Sequence, residues 1–271
     1  MRQQSVALLL IPGERIMVIM DNASGQQSGR KTVNERRRLQ RYGLWGTGMV
    51  LLLVFAAKCY SQAPGVVDLG DGKYRLGAIV IDQVARRFTV PGSVIRTEQP
   101  LEYLVVKKGG AKAYEAVLDA DTTAIEFNLA CILIGLDSDN AVLPRHHFDE
   151  VPVIGDPVKV TITWDRDGQE VQIRPEEIFL LEGKPVESRD WTYTGSVMLP
   201  DNVRYLAEEA GTLIGFVHDR DSIIEHKQGI GLGQFGSVTV DTSKLPPLGT
   251  GVVISVTNLK PATAESTQET N

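Results

Sequence analysis

A strict alternation of apolar and polar side chains constrains the fold of this chain more than any other feature of its sequence. Residues 158–164 read Val-Lys-Val-Thr-Ile-Thr-Trp, so every second side chain is apolar. Successive side chains of a β-strand point to opposite faces, and this pattern therefore predicts a strand with one buried face. Turn residues follow at 165–168, and the alternation resumes at Val171 and Ile173, which predicts a β-hairpin.

Other short segments share this strand character, being rich in Val, Ile, Thr and aromatic residues and bounded by turn residues. They are residues 73–82, 86–95, 101–108, 112–119, 169–176, 211–218 and 252–259. The sequence Lys-Lys-Gly-Gly at 107–110 predicts a second hairpin, which would join the strand at 101–106 to the strand at 113–118.

One segment has clear helical character. Thr123 and Glu126 form a capping-box sequence, in which each side chain can bond to the backbone of the other residue at a helix start. Apolar residues follow at helical spacing, namely Ile125, Leu129, Ile132 and Leu136. We therefore expect a helix over about residues 123–136, ended by Gly135 or by the polar residues 137–140. A second, short helix is expected at 202–210, with Asp201 as its cap.

These elements predict an α+β, strand-rich domain over residues 73–260, with antiparallel sheets or a sandwich-like core and one well-defined helix at about 123–136. A domain of this size can bury on the order of 70% of its unfolded surface, so it should fold as one unit. A linker at 61–72 precedes the domain, and we expect a disordered tail at 261–271.

The amino-terminal part of the chain has the features of an export signal. Residues 1–41 are basic, and we expect them to be poorly ordered. Residues 42–60 form a hydrophobic segment that directly follows an arginine cluster at 36–41, as in a signal peptide. The segment is slightly shorter than the roughly 20 residues that span a bilayer comfortably. The segment could be cleaved as a signal peptide or retained as a membrane anchor. Either Met1 or Met20 could be the start of the translated chain. Either fate places the domain outside the cytoplasm, in the periplasm or cell envelope.

Charge and cysteine content exclude several classes of function. The net charge is −6, and the basic residues are concentrated in the first 63 positions, which hold nine basic and three acidic side chains. The remainder of the chain is strongly acidic and should repel phosphate backbones, so we expect no nucleic-acid partner. The two cysteines, Cys59 and Cys131, are too few for a disulfide scaffold, a cysteine zinc site or an iron–sulfur cluster within one chain. We expect no cofactor.

Two polar clusters are candidate metal sites. His146 and His147 stand beside Asp149, and His218 stands beside Asp219 and Asp221. Imidazole and carboxylate groups are common metal ligands. Adjacent side chains on an extended strand point apart, so His146 and His147 could share a metal only on a bent loop. The simpler interpretation is two separate, solvated polar loops.

Three further motifs favour structural roles. The glycines at 231–236 match G-x-G-x-x-G, but a strand-like segment follows them where a dinucleotide site needs a helix. We therefore expect a glycine-rich mobile loop. Ser196 lacks the strand–turn–helix context of a hydrolase nucleophile. Cys131 lies among apolar residues of the expected helix, which favours a buried, inert thiol.

The order of several segments resembles the YdjY domain family of exported bacterial proteins, whose function is unassigned. These segments are residues 100–104, 114–118, the capped helix 125–136, 155–158 with Trp164, and 190–196. The resemblance extends over about residues 87–224. Members often carry a cysteine in the strand after the leading Leu-Glu and a histidine before the next Glu. This chain has Val105 or Val106 and Tyr114 at those positions, so thiol or imidazole chemistry based on them would be absent.

Together these features favour an exported or membrane-tethered domain of the cell envelope that binds a small ligand or an envelope protein without catalysis. The membrane contact would run through residues 42–60, and the sequence does not predict an oligomeric state. The alternative is a metal-binding or metal-dependent hydrolytic protein. It would use His146, His147 and Asp149, or His218 and Asp221.

Overall fold

The computed structural model of this chain describes residues 7–9, 17–19, 65–200 and 204–261. Two compact units are present, residues 1–65 and 66–271. In the first unit, β1 (Ala7–Leu9) and β2 (Met17–Ile19) pair antiparallel. The hydrophobic segment 42–60, the tail from 262 onward and Asp201 lie outside the described residues, so the predictions made for them remain predictions. Among the described residues, no helix is both long and apolar enough to cross a membrane.

The second unit is rich in strands. In chain order, the strands are β3 (Val66–Gly70), β4 (Lys73–Leu76), β5 (Ile79–Asp82), β6 (Arg87–Val94), β7 (Tyr103–Lys107), β8 (Ala116–Ala120), β9 (Asp156–Arg166), β10 (Gln169–Ile173), β11 (Phe179–Leu181), β12 (Lys184–Pro185), β13 (Trp191–Tyr193), β14 (Thr212–Gly215), β15 (Ile224–His226), β16 (Val238–Val240) and β17 (Gly251–Asn258). The helices are α1 (Ala124–Leu133) and α2 (Leu206–Ala210). A strand-rich domain with one main helix is therefore confirmed.

Eight strands close into a β-barrel, in the order β6, β8, β7, β14, β15, β13, β9, β17 and back to β6. The last strand closes the ring because β17 pairs with β6 along one edge and with β9 along the other. Strands β5, β4 and β3 extend the sheet outward from β6, and β10 extends it from β9. Strands β12, β11 and β16 form a separate small sheet.

The core consists of the alternating faces that the sequence indicates. In β17, Val252, Ile254 and Val256 are buried while their neighbours are more exposed. Ile254 lies opposite Val90 of β6 and Ile162 of β9, so one row of branched side chains crosses three strands. These residues belong to one large hydrophobic cluster.

The predicted sandwich-like core and purely antiparallel sheets differ from the structure. The ring is closed, and two of its strand pairs are parallel, β7 with β8 and β14 with β15. The predicted hairpin at 107–110 is wrong for the same reason, because β7 and β8 run in the same direction. The chain between them turns at Gly110 and again in a one-turn 3-10 helix, Ala113–Glu115. Residues 103–106 are buried on both faces, so alternation could not fix their pairing.

The hairpin predicted after residue 164 is confirmed. Strands β9 and β10 pair with Arg166 opposite Gln169, and Asp167 and Gly168 form the two-residue turn. Both turn residues have positive φ, +55° and +80°, as a type I′ turn requires.

The capping box of α1 is also confirmed, since Thr123 accepts from the Glu126 backbone and Glu126 accepts from the Thr123 backbone. The buried face of α1 differs from the predicted stripe, because Ile125 and Ile132 are exposed. Phe127 is buried instead, and its ring meets the ring of Phe88 edge-on at 5.1 Å. An aromatic partner on β6 decides this orientation, which helical spacing alone does not reveal.

Candidate functional site

Five carboxylates converge where β7 and β8 begin and β14 ends. We call Glu102, Glu115, Asp219, Asp221 and Glu225 the acidic cluster. Glu102 precedes β7, Glu115 ends the 3-10 turn before β8, Glu225 lies in β15, and the two aspartates lie in the loop between β14 and β15. The strand register brings these segments together, because the first residue of β7 pairs with the first residue of β8 and with the last residue of β14.

Four members of the acidic cluster are buried without a full set of hydrogen-bond donors. Glu102 is 1% exposed, Glu115 is 4%, Asp221 is 7% and Glu225 is 0%. Among the described residues, Glu102 Oε1, both carboxylate oxygens of Glu225 and one oxygen of Asp221 lack a hydrogen-bond partner. Glu102 Oε2 and Glu115 Oε1 have ion-pair contacts alone. Buried polar groups are nearly always hydrogen-bonded, so this concentration of unpartnered oxygens requires an explanation.

Two cationic side chains of the described residues lie at ion-pair distance from the cluster. His147 Nε2 is 2.9 Å from Glu102 Oε2 and 3.9 Å from Asp219 Oδ2. Lys112 Nζ is 3.4 Å from Glu115 Oε1 and donates to the Tyr103 hydroxyl at 3.1 Å. Tyr103 in turn donates to Asp219 Oδ2 at 2.8 Å. Negative charge therefore outweighs positive charge at this site.

The shifted pKa values in the cluster follow from this imbalance. Burial, reinforced by the charge of Asp219, raises the pKa of Asp221 from 3.8 to about 7. Burial and the same aspartate raise the pKa of Glu225 well above its usual range. The Glu102 carboxylate raises the pKa of His147 by hydrogen bonding to it. Protons therefore neutralise part of the cluster near neutral pH.

A short loop holds His147 over the cluster. Asp149 is buried and accepts two hydrogen bonds from the Arg145 guanidinium, at 2.7 and 2.6 Å. It also accepts from the backbone N–H groups of Arg145 and Val151. The Arg145 guanidinium holds the pKa of the Asp149 carboxyl well below its usual range. Asp149 thus shapes the loop and keeps its charge.

The imidazole of His218 ties this loop to the barrel. It is fully buried, with Nδ1 2.5 Å from the Asp149 carbonyl oxygen and Nε2 3.0 Å from the His226 carbonyl oxygen. The backbone N–H of Phe148 donates to the His218 carbonyl oxygen. The two polar clusters of the sequence therefore meet in space, and the expectation of two separate loops is wrong.

The sequence-predicted site residues take different roles. Asp221 belongs to the acidic cluster and His147 contacts it, whereas Asp149 and His218 support the loop beside it. His146 is exposed and has Nδ1 3.0 Å from the His147 carbonyl oxygen. Within residues 65–200 and 204–261, no group of three or more His, Cys, Asp or Glu side chains is arranged to hold a metal ion. Metal binding by these residues remains a prediction.

A cavity of about 300 Å³ lies on the other side of β15, between the β11–β12 hairpin and residues 226–230. His226 lines the cavity, while Glu225 belongs to the acidic cluster, as expected for neighbours on a strand. Burial lowers the pKa of His226, so this imidazole is neutral at neutral pH.

A family model for the YdjY domain matches residues 79–257, more than half of the chain. The chain belongs to the YdjY domain family. The match begins at the first residue of β5 and ends one residue before the end of β17, so the YdjY domain contains all eight barrel strands except that last residue, together with the acidic cluster. Neither the curated proteins nor the solved structures include a match to this chain.

Sequence reasoning missed Glu102, Glu115 and Glu225 in this YdjY domain. Glu102 and Glu115 lie in Leu-Glu-Tyr and Tyr-Glu-Ala, inside the segments that carry the family resemblance, and Glu225 follows Ile223 and Ile224. A carboxylate within an apolar strand segment is the signal that could have found them, because such positions are usually buried.

Proposed function

We propose that this YdjY domain is a non-catalytic binding module of the cell envelope that accepts a cationic group of a ligand at the acidic cluster. The observation that carries the proposal is the set of buried carboxylate oxygens without donors. Leaving a buried acceptor unpaired costs about 1–3 kcal/mol, and more for a charged group. A bound ammonium or guanidinium group would supply both donors and positive charge.

Charge balance supports a cationic ligand over a neutral or anionic one. Three carboxylates lie at ion-pair distance from Lys112 or His147, and an anion would increase the repulsion within the cluster. Because burial raises the pKa of Asp221 and of Glu225, both groups hold protons at neutral pH to a greater extent than ordinary carboxyl groups do. Binding of a cation should therefore release protons into solution, because cation binding and protonation compete at the same carboxyl groups.

The cluster has an entrance. Lys112, His147 and Asp219 are partly exposed, with side-chain exposures of 26%, 40% and 16%, while Glu102 lies beneath them. A ligand cation that reaches Glu102 replaces the imidazole of His147 there. His147 thus acts as the internal counter-ion that the ligand displaces.

Of the described residues, the candidate nucleophiles Ser196 and Cys131 are each held in an unreactive setting, which favours binding over catalysis. The Ser196 hydroxyl donates to the backbone carbonyls of Arg220 and Asp221, at 3.0 and 3.2 Å. Cys131 is fully buried, and burial raises the pKa of its thiol well above the usual value. A thiol held in its neutral form is a poor nucleophile.

Calorimetric titration of the full-length chain tests the proposal. The probes are the N-acetyl amides of arginine, lysine and norleucine, the last being neutral. We expect binding of at least one cationic amide with proton release, detected as a buffer-dependent heat, and no binding of the norleucine amide. The double variant E102Q/D221N should lose this binding, whereas E170Q, which removes an exposed carboxylate on β10, should retain it.

Two results would overturn the proposal. The first is the absence of binding for both cationic amides. The second is stoichiometric binding of Zn²⁺ or Ca²⁺ in place of the amides. If H147Q/D221N loses this metal binding, the metal-binding interpretation holds instead.

The envelope location is a separate part of the proposal and rests on the sequence of residues 36–60. Cell fractionation with amino-terminal sequencing tests it. We expect the protein in the membrane or extracytoplasmic fraction, with a cleaved or an anchored amino terminus. Recovery of the intact chain from the cytosol would refute this part alone.

A further inference from the structure

An aromatic rim borders the entrance to the acidic cluster. It consists of His147, Phe148 and Phe235. The rings of His147 and Phe148 lie 4.2 Å apart with planes tilted by 35°, and Phe235 meets Phe148 edge-on at 6.5 Å. His147 belongs to both features, since its Nε2 contacts Glu102. The rim and the buried carboxylate are therefore adjacent.

The backbone of Phe148 is held in a conformation that bulky residues rarely adopt. Its φ is +59°, in the left-handed region. The hydrogen bond from its N–H to the His218 carbonyl and the Arg145–Asp149 ion pair on either side fix this conformation. Such strain persists only where surrounding contacts over-determine it, and it is concentrated at binding and catalytic sites.

Phe235 is presented by the glycine-rich segment 229–236. Glycines 229, 231 and 236 have positive φ values, so the segment follows a path that other residues rarely adopt. The Gln99 side chain donates to the carbonyl oxygens of Gly236 and Val238, which tethers the segment. Phe235 nevertheless remains 59% exposed. Its ring is thus available to a ligand beside Phe148.

We propose that the acidic cluster and the aromatic rim together bind the guanidinium group of an arginine side chain in preference to the ammonium group of a lysine. This inference rests on the proposed function. A guanidinium is planar and weakly hydrated, stacks on aromatic rings and pairs with a carboxylate through two parallel hydrogen bonds. Glu102 is 1% exposed, and its Oε1 has no hydrogen-bond partner. Its Oε2 contacts His147 Nε2, which the guanidinium would displace.

An ammonium gains less from this geometry. It is a compact and strongly hydrated point charge, so it can neutralise the carboxylates without using the flat faces of the rim. The rim should therefore contribute to the affinity of arginine and contribute little to that of lysine. Arginine on the surface of a partner peptide or protein is the ligand class that this combination fits.

Comparing the arginine and lysine amides on variants of the full-length chain tests the inference. We expect the wild-type chain to bind the arginine amide more tightly, and F235L and F148L each to weaken arginine binding about two- to five-fold, the range of cation–π contacts at exposed sites. Lysine binding should stay unchanged in both variants. Y74L, which removes a half-buried ring on β4, is the matched control and should alter neither affinity.

The outcomes separate this inference from the proposed function. If the wild-type chain binds the two amides equally and F235L leaves the ratio of their affinities unchanged, the preference for arginine is overturned. The proposed cation site would still stand. Binding of neither amide would overturn both. Because Phe235 is exposed, F235L keeps the fold and remains informative even if F148L does not fold.

Discussion

Buried carboxylates are the feature that sets this protein apart at the scale of single residues. Glu102, Glu225 and Asp221 occupy positions that apolar side chains usually fill, and each retains an oxygen without a donor. Asp149 differs from them, because the Arg145 guanidinium and two backbone N–H groups donate hydrogen bonds to its carboxylate. The difference separates a carboxylate that shapes the structure from the carboxylates that we propose to meet a ligand.

Replacement of Asp221 by asparagine should stabilise the protein above neutral pH. The pKa of Asp221 is about 7 in the folded state and 3.8 ordinarily, so the folded form loses stability as the pH rises through about 7. D221N removes this loss, and its unfolding free energy should exceed that of the wild type by up to a few kcal/mol at about pH 8. The advantage should disappear below about pH 4, where the aspartate is protonated in both states.

Urea denaturation across this pH range measures the effect. E170Q is the control, since it removes an exposed carboxylate and should change stability little at any pH. An unfolding free energy of D221N that stays below the wild-type value at high pH would contradict the pKa argument.

At the scale of elements, local sequence signals decide where segments begin and end, and distant contacts decide which face is buried. The capping box starts α1 at Ala124, and the Asp-Gly turn joins β9 to β10. In contrast, Phe127 faces the core because Phe88 lies opposite it. The parallel pairing of β7 and β8 likewise depends on the path of residues 108–115 and not on the pattern within either strand.

Loss of the capping box should destabilise the domain measurably. The Thr123 hydroxyl accepts from the Glu126 N–H at 3.1 Å. T123A removes that acceptor and should lower the unfolding free energy by about 1 kcal/mol, whereas T123S keeps the hydroxyl and should lose less than half of this. Urea denaturation of the two variants makes the comparison. Equal stability of T123A and the wild type would show that the cap contributes nothing.

At the scale of the whole molecule, the barrel depends on close approaches between strands. Strand β6 changes partner along one edge, because its residues up to Thr89 pair with β5 and its residues from Gly92 onward pair with β8. Pro91 lies at this change of partner, where a residue without an N–H group is tolerated. A Cβ at Gly92 would lie 2.0 Å from the Asp119 carbonyl oxygen. Only glycine fits there without moving the backbone.

Alanine at position 92 should therefore disrupt closure of the barrel. We expect G92A to lower the unfolding free energy by several kcal/mol or to prevent folding, since backbone strands would have to separate. G251A is the matched control on the adjacent strand β17, where the nearest atom to an added Cβ is 4.0 Å away. Circular dichroism and thermal denaturation compare the two. Similar melting temperatures for both variants would contradict this account of the close approach.

The sequence by itself determined the strand-rich class, most strand positions, the helix start and the turn at Asp167. It also identified His147 and Asp221 as polar candidates. These features depend on residues within a few positions of one another, so periodicity and turn chemistry reveal them. Only the tertiary structure decided that the strands close into a ring. It also decided that Tyr103 meets Asp219, 116 positions away, within the acidic cluster. Strand partners and register arise from packing across the whole chain, and no local pattern encodes them.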